Sequence, residues 1–326
     1  MVDGKKLVVS ASPHLRTKDT TRGIMLDVII ALIPALIAAV VIFGPRVLAV
    51  TATTVISAVL SEFVARKVMK RHNTIGDLSA VVTGLILAFN LPVSIPLWLA
   101  AVGSFVAIVI VKQMFGGIGQ NFANPAIVAR IFLLISSGQA MGNWVVPFSW
   151  KTQAVTGATP LAIIGGESSE ALPSLMDMFL GVRGGCLGET CSLALIIGGI
   201  YLIARKVISP KIPLAFIGTV AVVMLIAGKF DFEFLAYQLM GGGLLLGAFF
   251  MATDYSTSPI KSNAKIVFGI GCGLLTCVIR LFAALPEGVS FAILIMNLLV
   301  PHIERIMAPK PFGTVKEKKV KEAKAK

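Results

Sequence analysis

Long apolar segments dominate this sequence and constrain its fold more than any other feature. A helix needs roughly 17–25 mostly apolar residues to cross the hydrocarbon core of a bilayer. We identify ten such segments, of which the third, fifth and eighth are short or broken, at approximately 25–43, 48–65, 78–90, 95–111, 123–137, 191–205, 213–227, 237–252, 265–284 and 288–305. Only 14% of the residues are charged, against about 25% in soluble domains. The sequence therefore predicts an all-α integral membrane protein with about ten transmembrane segments.

Basic residues lie in short loops between these segments and in the tail 310–326. The net charge of +13 is therefore explained by a positive-inside bias and by contact of the tail with lipid headgroups, not by nucleic-acid binding. The loops predicted to be cytoplasmic carry Arg66, Lys67, Lys70, Arg71, Lys112, Arg205, Lys206, Lys211 and Lys261. Those predicted to lie outside carry only Arg46, Lys151, Arg183 and Lys229. The first 24 residues show no cleavable signal peptide. We predict that both termini are cytoplasmic.

The ten segments form two similar sets of five. A shift of 163 positions brings the first set onto the second, and Gly84–Pro96 then matches Gly247–Pro259. A unit of five spans reverses its orientation in the next unit, so the predicted repeats are inverted, with broken helices that meet at a binding site. Similar composition alone is the alternative. The predicted divisions are 1–24, the repeat 25–137, an extracytoplasmic loop 138–190, the repeat 191–305 and a basic tail 306–326.

The long loop contains the most distinctive chemical motif, Thr156-Gly157-Ala158-Thr159-Pro160. Small residues surround two threonines, and a proline follows. This pattern predicts a tight turn with an accessible threonine hydroxyl. From the residues alone, a plain turn is the simplest interpretation.

This motif resembles the Ser/Thr-Gly-Ala-Thr signature of a family that includes RnfD of Rnf complexes and NqrB of the sodium-pumping NADH:quinone oxidoreductase (Nqr). Other similarities occur in the same order along nearly the whole chain. They are Ser12–Arg16, Ile24–Ala35, Gly116-Gly117, Asn121–Ala126 with Arg130, Gly188–Thr190, Ala252–Asp254 with Ser258-Pro259, and Pro286–Val289 with Met296-Asn297.

The resemblance implies two flavins. FMN would be joined through its phosphate to Thr159, and Thr156, Gly157 and Ala158 would be recognised by a flavin transferase. The family often has an acidic residue where this chain has Gln153, which is a departure from the pattern. A second flavin, riboflavin, would bind without a covalent bond.

Polar residues near the broken helices are the candidates for contacts with this second flavin. They are Asn121, Asn124 and Asp254. A flavin ring needs a flat apolar slot with a few donors and acceptors. The alternative is that these side chains only satisfy interrupted backbone.

Acidic residues near or within the apolar segments are candidates for an ion path, because buried charge is costly in a membrane. They are Asp27, Glu189 and Glu287, with Arg130 and Arg280 as possible charge partners. The four cysteines, Cys186, Cys191, Cys272 and Cys277, lack ferredoxin spacing, so packing is favoured over an iron–sulfur cluster. We predict no metal site.

The resemblance implies a membrane subunit that relays electrons through FMN and riboflavin. It would receive them from the extracytoplasmic FMN protein RnfG, beside RnfA, RnfB, RnfC and RnfE, in the cytoplasmic membrane of a bacterium or archaeon. The complex would couple electron transfer between ferredoxin and NAD to movement of Na+ or H+, and the chain alone would be inactive. The short N-terminal segment favours the Rnf form over NqrB. A secondary transporter or channel without a redox role is the alternative.

Overall fold

A computed structural model describes residues 20–151, 157–166, 171–283 and 288–308, and within these ranges the chain is helical and has no β-strand. The α-helices are α1 (Thr21–Phe43), α2 (Arg46–Val68), α3 (Ser79–Phe89), α4 (Leu97–Phe105), α5 (Pro125–Ser136), α6 (Gly138–Met141), α7 (Pro160–Ile164), α8 (Leu175–Leu180), α9 (Ser192–Ala204), α10 (Lys211–Ala227), α11 (Phe232–Met240), α12 (Leu244–Leu246), α13 (Ser262–Phe282) and α14 (Val289–Ile306). Two π-helices, Val106–Gln113 and Gly247–Met251, continue α4 and α12. Short 3₁₀ turns occur at Ile75–Asp77 and Ser149–Lys151.

Several helices are apolar enough for a membrane. In the described part of the chain, α1, α2, α13 and α14 are long enough to cross a bilayer, and the pair Phe232–Met240 and Leu244–Met251, bent by 59°, makes a fifth span if it is counted as one. The other predicted segments coincide with shorter apolar helices of 10–17 residues. The chain is thus a multi-pass membrane protein. The ten-span inverted repeat stays a prediction.

Close backbone contacts at glycines join the long helices α1 and α2 to shorter helices. A Cβ atom on Gly84 of α3 would lie 2.9 Å from the Cα of Val55 on α2. One on Gly198 of α9 would lie 2.2 Å from the carbonyl oxygen of Ala31 on α1. Small residues permit such close packing where lipid provides no hydrophobic driving force between helices. Helix α10 also packs against α13, and α5 packs against α4 and α14.

Helix α5 separates two ends of the helical bundle. Asn124 caps its first turn, and Ser136 is its last residue. Beyond Ser136, the loop returns over the C-terminus of α1, where the N–H of Phe148 donates to the carbonyl oxygen of Ile42 at 2.8 Å. We call the end at the N-terminus of α5 the Asn124 end, and the end at its C-terminus, beyond Ser136, the Thr159 end. Twelve residues of α5 at about 1.5 Å each place them about 18 Å apart.

Candidate functional site

Thr159 begins helix α7. Its backbone is extended, and its Oγ1 atom accepts a hydrogen bond from the N–H of Ala162 at 3.3 Å. Pro160 follows at the first helical position, where its missing N–H has no cost. The side chain is only 6% exposed. Thr159 is therefore a buried N-cap, and the accessible hydroxyl predicted from the sequence is wrong because the hydroxyl turns inward to cap the helix.

A polar cavity of about 420 Å³ lies beside the motif. Gly157 lines it together with Gln139, Gly142, Asn143 and Trp144. The N–H of Gly157 donates to the carbonyl oxygen of Trp144 at 3.0 Å, which fixes the motif against this cavity. Ala158 lies between Gly157 and the capping Thr159, while Thr156 and Gln153 lie outside the described residues.

A second cavity opens at the Asn124 end, where helices from both halves of the chain meet. The three residues predicted for the second flavin, Asn121, Asn124 and Asp254, all line it. Phe249 and Phe250 supply apolar wall. The cavity measures about 90 Å³, which is below the roughly 300–1,000 Å³ of typical ligand pockets. A flavin ring therefore requires exposed side chains in its lining, such as Ile118 and Tyr255, to move aside.

The three residues predicted for the second flavin differ in their hydrogen-bond partners. Asn124 accepts from the N–H of Ala126 at 3.0 Å and donates to the carbonyl oxygen of Met251 at 3.2 Å. Asp254 accepts hydroxyl hydrogen bonds within its own turn. The buried Oδ1 atom of Asn121 has no hydrogen-bond partner among the described residues. Asn124 thus caps α5 and bonds across to Met251, and Asp254 bonds within its own turn, whereas Asn121 offers an unused acceptor.

A fully buried ion pair adjoins the same cavity. Lys112 Nζ lies 3.1 Å from Glu62 Oε2 and donates to Ser79 Oγ at 2.6 Å. The other carboxylate oxygen of Glu62 accepts from Gln113 at 2.8 Å and from Thr74 at 2.7 Å. Lys112 lines the cavity and is 2% exposed. The prediction that Lys112 lies in a loop is wrong, because the π-helix Val106–Gln113 carries it into the protein interior.

A second buried polar cluster surrounds Arg130 in the middle of α5. Its Nη1 atom donates to Asn90 Oδ1 and to Ser290 Oγ, both at 2.9 Å, and its Nη2 atom lies 3.7 Å from Cys186 Sγ. The N–H of Cys186 donates to Glu189 Oε1 at 3.0 Å. Glu189 Oε2 is buried with no hydrogen-bond partner in the described ranges. The cluster joins the end of α3, the loop before α9 and the start of α14.

Arg183 fixes the loop that carries Cys186 and Glu189. Its Nη2 atom donates to the carbonyl oxygen of Glu189 at 2.7 Å, and its Nε atom donates to that of Thr190 at 3.2 Å. Burial lowers the pKa of Arg183 to about 10 and raises the pKa of the Cys186 thiol to about 12, because removal from water disfavours the charged form of each.

The predicted ion-path residues do not form one group. Asp27 lies near the start of α1, where Tyr201 Oη donates to it at 2.9 Å and Arg205 lies 3.4 Å away. Glu189 lies in the Arg130 cluster. Glu287 is outside the described residues. All four cysteines are buried free thiols, and no group of His, Cys, Asp or Glu in the described ranges could hold a metal ion.

Comparison with known proteins supports the resemblance seen in the motifs. A family model described as "NQR2, RnfD, RnfE family" matches residues 8–313. The chain belongs to this family.

Full-length relatives within the family are named as D subunits of ion-translocating oxidoreductase complexes. The chain is 48% identical over 322 residues, 98% of both chains, to the D subunit of the Na(+)-translocating ferredoxin:NAD(+) oxidoreductase complex of Acetobacterium woodii. It is 41% identical over 317 residues, 94% of this chain and 96% of the relative, to the proton-translocating counterpart of Clostridium ljungdahlii. It is 37% identical over 323 residues, 89% of this chain and 91% of the relative, to the D subunit of the ion-translocating oxidoreductase complex of Stutzerimonas stutzeri.

The sequence reasoning missed the Glu62–Lys112 pair. Glu62 lies inside the predicted segment 48–65, and a single carboxylate in an apolar span is itself a signal of a buried partner. Lys112 directly follows the predicted segment 95–111, so its sequence position predicts a loop. The π-helix that turns it inward has no comparable sequence signal.

Proposed function

We propose that this chain is the RnfD component of an Rnf-type complex that transfers electrons between ferredoxin and NAD and moves Na+ or H+ across the membrane. The full-length similarity to relatives with that place in their complexes carries this proposal. Those relatives are named for different ions, so the proposal covers both. RnfA, RnfB, RnfC, RnfE and RnfG are the proposed partners, and the chain alone is expected to be inactive.

FMN is proposed to be esterified to Thr159. An N-cap oxygen accepts a hydrogen bond and has no need of its proton, so a phosphoryl group can replace that proton while the oxygen still faces Ala162. The polar cavity beside Gly157 offers space next to the motif. Because Thr159 is only 6% exposed, we expect the flavin transferase to act before this segment packs, on the motif Thr156–Thr159.

Riboflavin is proposed to bind at the Asn124 end. The unused Oδ1 atom of Asn121 can accept from a ring N–H, and the apolar wall of Phe249 and Phe250 suits a flat ring. A bound flavin supplies one-electron acceptance and donation. Asn124 and Asp254 hold the broken backbone that shapes this site.

The two sites lie at opposite ends of α5, which suits a relay across the membrane. In the proposed topology, ten spans form two inverted repeats with both termini in the cytoplasm. Thr159 then lies on the outer side, where RnfG would deliver electrons, and the Asn121 cavity lies on the cytoplasmic side. Asp27 and Glu189 remain the proposed ion-path residues of the described chain, and Glu189 has an unused buried oxygen.

Attachment of FMN is tested by intact mass and in-gel flavin fluorescence after expression with the flavin transferase. Three variants separate the roles of Thr159. Thr159→Ser keeps both the hydroxyl and the cap, Thr159→Asn keeps the cap without an esterifiable hydroxyl, and Thr159→Ala removes both. We expect wild type and Thr159→Ser to gain one FMN minus water, while Thr159→Asn and Thr159→Ala stay unmodified.

An unmodified wild-type chain would refute the covalent redox role. A secondary transporter or channel would then be the better interpretation, and ion flux in proteoliposomes would test it. If Thr159→Asn still carries flavin, the attachment is at another residue. Transfer of electrons to quinone by the assembled complex would favour the NqrB alternative.

A further inference from the structure

Lys112 places a buried positive charge against the Asn124-end cavity. The last turn of the π-helix Val106–Gln113 carries it there, and such helices are frequent at functional sites. Its side chain is 2% exposed and its partner Glu62 is 0% exposed. The cavity that it lines also contains Asn121, with its unused acceptor.

The hydrogen bonds of Lys112 leave one donor available. A lysine ammonium has three N–H donors. Two are used, by Glu62 Oε2 and Ser79 Oγ, and the third has no acceptor among the residues that the structure describes. Because Lys112 lines the cavity, this third N–H can reach a molecule bound there.

Packing alone does not require this ion pair. Burial of two charges often stabilises a fold no more than apolar side chains of similar volume. A shift of 163 positions places Leu225 opposite Glu62 and Leu275 opposite Lys112. Leu225 lies on α10 and Leu275 on α13, which pack together as α2 packs with the helix that continues α4. The second half therefore fills the matching places with leucines.

We propose that Lys112 contacts the non-covalent flavin, donates a hydrogen bond to the N1 and carbonyl edge of its ring, and raises its reduction potential. This inference rests on the proposed riboflavin site. When one electron enters the ring from the reduced covalent flavin, that donor is oxidised by one electron and negative charge grows at the ring edge, with no proton required. A fixed positive charge beside N1 stabilises this charge.

Glu62 sets the strength of the effect. Its carboxylate partly neutralises Lys112 across 3.1 Å. Removal of the Lys112 charge and removal of the Glu62 charge therefore change the electrostatic field at the cavity in opposite directions. Lys112→Gln should lower the equilibrium constant for one-electron reduction about tenfold, or ~59 mV. Glu62→Gln should raise it, and the double variant should fall between the two single variants. A purely structural role would not give opposite signs.

The test is a potentiometric titration of the full-length chain in the Thr159→Ala background, followed by flavin absorbance. In this background only the non-covalent flavin, which denaturation releases, contributes to the absorbance. In-gel fluorescence verifies that no covalent flavin is present. Lys112→Arg, which keeps the charge, is the matched control and should stay close to the parent. Releasable flavin is quantified for every variant, and a drop for Lys112→Gln alone supports the contact.

Opposite shifts for Lys112→Gln and Glu62→Gln support the proposal. Equal potentials in all variants, or shifts of the same sign, overturn it while the flavin site itself stands. A parent chain without releasable flavin overturns the riboflavin site and this inference together. Loss of folded protein in Lys112→Gln does not block the test, because the double variant carries no unpaired buried charge and its potential is compared with that of Glu62→Gln.

Discussion

Gly188→Ala should disrupt the loop before α9, which carries Cys186 and Glu189 of the Arg130 cluster. The N–H of Gly188 donates to the carbonyl oxygen of Phe89, and the N–H of Leu187 donates to that of Leu91, both at 3.0 Å. A Cβ atom on Gly188 would lie 2.2 Å from both Cβ and Cγ of Phe89, which is 0% exposed. The added methyl group therefore meets a side chain that has no space in which to turn.

The cost follows from two sources. Overpacking of a core costs about 1–3 kcal/mol, and each of the two backbone hydrogen bonds contributes about 0.5–1.5 kcal/mol. The sum is about 2–6 kcal/mol, a large part of the roughly 5–15 kcal/mol by which native proteins are stable. Removal of the ring in Phe89→Ala should not rescue Gly188→Ala, because the added Cβ at position 188 would still lie 2.2 Å from the Cβ of residue 89.

Thermal unfolding with a thiol-reactive fluorescent dye is a suitable assay, because all four cysteines are buried in the folded chain. The matched control is Gly218→Ala. Gly218 lies within α10, and a Cβ there meets nothing within 4 Å. Alanine in a helix is more stable than glycine by about 0.5–1 kcal/mol. We expect a lower unfolding midpoint for Gly188→Ala and an equal or higher one for Gly218→Ala. Equal midpoints for the two variants would refute the close contact of the loop with α3.

Two further predictions concern the same loop. Burial raises the pKa of the Cys186 thiol from 9.0 to about 12, so the unfolded chain releases this proton first as the pH rises, and the free energy of unfolding should fall by up to about 1.4 kcal/mol per pH unit between these values. In urea denaturation at alkaline pH, Cys186→Ala should therefore show a smaller decrease in stability with pH than wild type. An unchanged slope would contradict the buried position of this thiol. Arg183→Lys should cost about 1–3 kcal/mol in the same assay at neutral pH, because lysine lacks the planar guanidinium whose separate Nε and Nη2 atoms face the two carbonyl oxygens. The exposed Arg22→Lys should be neutral, and equal loss in both variants would argue against the role of Arg183.

The lengths of the apolar runs predicted the helices well but not how many of them cross the membrane. All ten predicted segments contain helices, because runs of apolar residues long enough to bury their backbone become helical in lipid. The number of crossings also depends on helix length and bend. The segment 237–252 shows this, since it is split into α11 and α12 with the π-helix, bent by 59°.

The site was predicted in part. Asn121, Asn124 and Asp254 come from distant parts of the chain and line one cavity, as expected where broken helices meet. Thr159 was predicted as an exposed turn residue, because a Thr-Pro pair reads equally as a turn and as a helix N-cap. Lys112 could not be placed from its sequence position, because only the π-helix decides whether it faces a loop or the interior.

The buried charges show how the two halves of the chain differ. Glu62, Lys112 and Arg130 all lie in the first half, and the shift of 163 positions places Leu225, Leu275 and Ile293 opposite them. The two halves therefore carry different chemistry at positions that the shift of 163 brings together. The first half provides the fixed charges at the cavity and at the centre of α5, whereas the second half provides Phe249, Phe250, Asp254 and Ser290 around them. The Asn124-end cavity and the Arg130 cluster each need residues of both halves, so we expect that neither half alone binds the proposed riboflavin, even if it inserts into a membrane.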